Sequence, residues 1–172
     1  MNFSWFRKKP DPLLERAENL INAANILGIG SYTDLSAKLP IVNNIDTEQW
    51  DWVFTIAGVF VAVNRLNSNA NRIEASTKEE IHDVVTQKLA AWKPDGLGGL
   101  QDCQAFFKKT YEQLSTLDSY KSDPSLLISD SLGMWMTWNL IKHAPESEDE
   151  RKLARMTGAF AFHAFVNWWK IS

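Results

Sequence analysis

The sequence predicts an all-α fold: a single compact bundle of about six main helices. Three observations carry that expectation. Apolar residues recur at three- and four-residue spacings along most of the chain, the period of one helix face. No stretch alternates apolar and polar residues as a half-buried strand does. Proline, glycine and Ser/Asp punctuation divides the chain into segments of helical length. At 172 residues with 45% hydrophobic side chains, the chain can bury one full core, so a single domain over 1–172 is expected.

The first helix is expected from Pro12 to Leu27, where Leu13, Ala17, Leu20, Ile21, Ala24 and Leu27 share a face. Proline near the start and Gly28 after the last apolar position are its start and stop signals. "GIGSYTDLSAKLP" then leaves room for one short helix, Thr33 to Leu39. Asp46 followed by Thr47 and Glu48 caps a second helix running to about Leu66. It is apolar nearly all round from Trp50 to Val63, which places it at the centre.

Ser76-Thr77-Lys78-Glu79 fits a capping box opening a third, surface helix with Ile81, Val84, Val85, Leu89 and Trp92 on one face. "KPDGLGG", residues 93–99, opposes regular helix and is a candidate boundary between two halves. A fourth helix, about Leu100 to Leu117, aligns Leu100, Cys103, Phe106, Phe107, Leu114 and Leu117. Ser122-Asp123-Pro124 starts a fifth, apolar almost all round in its middle and reaching Lys142-His143. "ESEDERK" supplies acidic residues where a helix N-terminus favours them, and a sixth helix carries Leu153 to Trp169. The second, fifth and sixth helices are expected to be central.

"GVFVAVNRL" (58–66) and "GMWMTWNLI" (133–141) both place a glycine six residues before an asparagine. Each lies in the middle helix of three on either side of "KPDGLGG", so two three-helix halves are one reading. The match has two identities over nine positions, and chance similarity between apolar segments is the stronger explanation. Gly58, Gly133 and Gly158 each cost a helix about 1 kcal/mol relative to alanine. Close approach of a neighbouring helix is the expected compensation, with capping or solvent accounting for Asn64 and Asn139.

Composition removes several functions. The formal charge is −3 and the only dense basic run is Arg7-Lys8-Lys9, so no nucleic acid is expected as a partner. Cys103 is the sole cysteine, which rules out an intrachain disulfide and a thiolate zinc cluster and makes a reducing cytoplasm the expected location. The N-terminus places its apolar residues before its basic ones, the reverse of an export signal. The longest uncharged apolar-rich run, Trp52 to Val63, falls short of the roughly 20 residues that span a bilayer, so no transmembrane segment is expected.

Catalytic and cofactor signatures are equally thin. Glu79 and His82 have the Glu-x-x-His spacing of di-iron bundles, but such a site needs a second copy, and the chain has none. Gly-x-Ser-x-Gly and Walker sequences are missing, and Cys103 falls on an apolar stripe. No catalytic residue, metal or cofactor is therefore expected.

Binding candidates remain. His163 and Asn167, one turn apart, could line a polar pocket in the core together with Thr157. Asp130 shares a face with Gly133 and Thr137 beside Trp135 and Trp138, although Ser129-Asp130-Ser131 reads first as the solvent side of its helix. Phe3, Trp5 and Phe6, followed by three cations, form an N-terminal docking candidate, with self-packing weighed above a partner or a bilayer interface.

Eight tryptophans offer more rigid anchoring surface than a core of this size requires. The leading expectation is thus a soluble, non-catalytic module that binds another protein or itself as a homodimer. A regulator, an adaptor or a toxin-neutralising partner would fit. The alternative is a carrier or sensor holding an apolar or aromatic small molecule between helices, near Trp135, Trp138, Asn139, Phe162 and His163. The third is an enzyme without a recognisable motif.

Overall fold

The computed structural model describes residues 11–68, 72–92 and 99–170, and it is all-helical. Six α-helices follow in order: α1 (Pro12–Ser36), α2 (Thr47–Asn67), α3 (Ala75–Trp92), α4 (Leu100–Leu114), α5 (Pro124–Ile141) and α6 (Glu148–Phe165). Short 3-10 turns at Pro40–Asn44 and Asp118–Tyr120 join α1 to α2 and α4 to α5. Among the described residues no helix is long and apolar enough to cross a membrane. The proposed half boundary at 93–99 falls, except for Gly99, outside the described residues, as does the Phe3, Trp5 and Phe6 segment.

Helix starts follow side-chain chemistry. Asp11, Asp46 and Asp123 each accept a hydrogen bond from a first-turn amide, at 2.9, 2.9 and 3.0 Å. Ser147 and Glu150 complete a reciprocal capping box at the start of α6. The box expected at Ser76 does not form; α3 begins at Ala75, with Lys78 N bonded to Glu74 O. α5 stops where Lys142 turns to φ 66°, a left-handed C-terminal residue.

α1 is longer than its sequence punctuation suggests, because it continues through both Gly28 and Gly30 to Ser36. Gly28 does not end the helix; it lets α2 come close. A Cβ there would sit 3.1 Å from Phe54 Cβ and 3.3 Å from Asp51 Cα. Trp50 Nε1 then donates to Gly28 O at 3.0 Å and to Ser31 Oγ at 3.2 Å, so the indole locks this part of α1 onto α2. In contrast, α4 and α6 end earlier than expected, at Leu114 and Phe165.

α2 is the axle of the bundle and packs against all five other helices. From Trp52 to Ala62 every residue is buried, as an all-round apolar helix requires. α1 and α6 lie against it, and Trp169 Nε1 closes the C-terminal end by donating to Ala62 O at 2.7 Å. α5 and α6 pair most intimately. A Cβ on Gly158 would stand 2.8 Å from Gly133 N and 2.9 Å from Gly133 Cα, and one on Gly133 would stand 2.7 Å from the carbonyl carbon of Ala154. The two backbones are in contact there, so both glycines serve close approach. Gly58 does so differently: a Cβ there would stand 2.8 Å from the Phe165 ring and 2.9 Å from Ala24 Cβ.

Candidate functional site

The residues expected to form one site are distributed over different environments. Trp135 is fully buried, with Nε1 donating to Asp102 Oδ2 of α4 at 3.0 Å. It is a core residue that ties α4 to α5, not a free anchor. Phe162 is also buried, at 7% exposure, whereas its neighbour His163 is exposed and touches it edge-on at 5.3 Å. Asn167 is exposed too, so the polar core pocket expected around His163, Asn167 and Thr157 does not form. Thr157 is satisfied within its own helix by Leu153 O at 2.9 Å. The cause is rotation of α6, which turns Ala161 and Phe165 inward and leaves His163 on the outer face.

Asn139 is half-buried and structural: its amide donates to Trp135 O at 3.0 Å and its backbone oxygen accepts from Gln49. Trp138 keeps 45% of its surface exposed beside Phe106, with ring centroids 6.1 Å apart. Of the tryptophans with described side chains it alone is exposed; Trp50, Trp52, Trp135 and Trp169 are buried. The tryptophans with described side chains are thus mostly core material.

Ser129-Asp130-Ser131 does not face solvent as its composition suggested. All three are buried, because the Asp118–Tyr120 turn folds over this part of α5 and Tyr120 Oη donates to Asp130 Oδ2 at 2.7 Å. Burial and the Asp130 carboxylate together push the Tyr120 phenol up to about 12. Thr137, two turns on, is fully buried with no hydrogen-bond partner for Oγ1 among the described residues.

A different site emerges where α3 and α4 diverge over α2. α3 leans on α1 and α4 on α5, and the two hardly meet each other. Between them opens a hollow of about 560 Å³ above the C-terminal turns of α2. Phe60, Val63, Leu100, Phe107 and Tyr111 supply its apolar lining. Phe60, Phe107 and Tyr111 form a connected aromatic wall, with centroid distances of 4.8 and 5.7 Å. Asn64, Gln104 and the His82–Asn67 pair, bonded at 2.9 Å, place polar groups at the rim. His82 pairs with Asn67, and no group of three metal-capable side chains occurs among the described residues.

The sequence analysis passed over this site. Its residues lie on three helices and each reads singly as core or surface; only the stripe of α4 carried a hint. Cys103 on that stripe is fully buried, and burial pushes its thiol well above the usual range, with nearby Asp102 adding to the effect. Such a setting lacks the exposed, electropositive surroundings of a reactive thiol. Fold and site define a helical bundle with an open aromatic hollow. Comparison of the chain with known protein families, curated proteins and solved structures finds no match.

Proposed function

We propose that the protein is a non-catalytic carrier or sensor of an apolar or aromatic small molecule, held between α2, α3 and α4. One observation carries the reading: a hollow of about 560 Å³ with a continuous aromatic wall and a few rim amides and an imidazole. Ligand pockets commonly measure about 300–1,000 Å³ and combine an apolar lining with a small number of orienting polar groups. Stacking on Phe107 and Tyr111 would hold a flat ligand. Asn64, Gln104 and the His82–Asn67 pair would orient its polar edge.

A second reading, a module that binds another protein, is favoured by Trp138. An exposed tryptophan backed by Phe106 is the kind of side chain that dominates interfaces.

Native mass spectrometry of protein purified gently from its own cells, repeated after denaturation, distinguishes the two. The carrier reading expects an excess of a few hundred daltons, about the mass of a pocket-sized molecule, lost on denaturation and missing in Val63→Trp, which fills the hollow. A clean protomer, together with failure of N-phenylnaphthylamine to bind saturably, would overturn it. A co-purifying polypeptide lost in Trp138→Ala would transfer the function to the second surface.

A further inference from the structure

We infer that a second, smaller pocket, between the end of α4, the Asp118–Tyr120 turn, α5 and α6, is a binding site for a free α-amino acid or similar small zwitterion. It is lined by Tyr120 of the turn, Asp130 and Met134 of α5, Arg151 and Arg155 of α6, and Leu114 at the end of α4. Its volume is about 140 Å³. A cavity of about 150 Å³ admits benzene, so a ligand of about six heavy atoms is the right scale.

Charge arrangement selects the ligand class. Asp130 is 7% exposed, and among the described residues its carboxylate accepts one side-chain hydrogen bond, from Tyr120 Oη to Oδ2. A carboxylate can accept about four such bonds, so Asp130 keeps capacity at Oδ1 for a further donor. In the same pocket, Arg155 forms no ion pair with Asp130 or any other described residue, although its charge reaches the Tyr120 phenol. Arg151 is steadied at the mouth by a 2.7 Å bond to Glu146 O.

Opposite charges that share a pocket without meeting leave a gap that one molecule bearing both signs can bridge. An ammonium would bond Asp130 Oδ1 while a carboxylate meets the Arg155 guanidinium, whose planar fork suits it. The apolar residues of the lining would accept a small side chain. An anion alone would leave Asp130 unanswered, and an amine alone would be repelled by the two arginines.

The test is a titration of the full chain with L-alanine to its solubility limit, followed by amide NMR. Saturable shifts centred on Leu114, Met134 and Ala154 are expected, with an equimolar mixture of propionate and ethylamine failing to reproduce them. Arg155→Gln, an exposed substitution that leaves folding intact, should weaken binding about tenfold or more. Asp130→Asn, if it folds, should do the same. No shifts, equal binding by wild type and Arg155→Gln, or the same response to propionate alone would each overturn the assignment. Because the probe and the shifted amides lie outside the aromatic hollow, the result is independent of the function proposed for that hollow.

Discussion

Five glycines within helices show how different one residue type can be. A side chain on Gly133 or Gly158 would run into main-chain atoms of the facing helix, which cannot rotate away. Gly30 of α1, by contrast, has nothing within 4 Å of its missing Cβ. Gly133→Ala should therefore cost at least about 3 kcal/mol, the upper part of the overpacking range. Gly30→Ala should stabilise the protein by about 1 kcal/mol through helix propensity alone. Urea unfolding midpoints of the two variants check the contrast, and similar midpoints would refute it. Close approach was legible in the sequence at Gly58, Gly133 and Gly158, because an apolar helix has little other use for glycine. Gly28 was misread as a stop, since the tryptophan that holds the helix together there comes from α2. Asp130 was misread for a related reason: the tyrosine that covers it lies in an irregular turn with no periodicity to reveal it.

Helices α2 and α5 were legible as continuous apolar runs, the starts of α2 and α5 as capping side chains, and the start of α6 as a run of acidic residues. The ends were less so, because a chain leaves a helix when tertiary contacts cease to favour it, and the local sequence records that weakly. α3 has the thinnest attachment. Ile81, Val85 and Leu89 bury a single edge, and α3 touches α2 only lightly. Its ion pair to α1, Lys88 to Glu18 at 2.6 Å, is solvent-exposed and is worth at most about 1 kcal/mol. Hydrogen exchange followed by mass spectrometry should show α3 amides exchanging before those of α2 and α5. Protection of α3 equal to that of α2 would mean that the hollow beside it is more rigidly walled than these contacts imply. Early opening of α3 would also give a ligand its way into the hollow.

For the whole molecule, the central place of α2 was readable from its uniform apolarity, whereas the hollow was not. It arises from the divergence of α3 and α4, a relation between two helices that neither sequence contains. Cys103 offers a probe of the assembled state, since it is fully buried with its thiol held protonated. Labelling by a thiol reagent should be slow in the native protein and accelerate with urea in step with the loss of helical circular dichroism. Fast labelling before that loss would show α4 detaching on its own. The all-round burial of α2 also bears on how the chain is made. During synthesis α2 is complete at Asn67, but α5 and α6, which cover much of it, begin only at Pro124 and Glu148. Over that interval α1 is the main shelter for an otherwise bare apolar rod, a condition that invites aggregation or chaperone capture. Nascent chains are therefore most at risk before α5 is made, and arrival of α6 ends the exposure of α2.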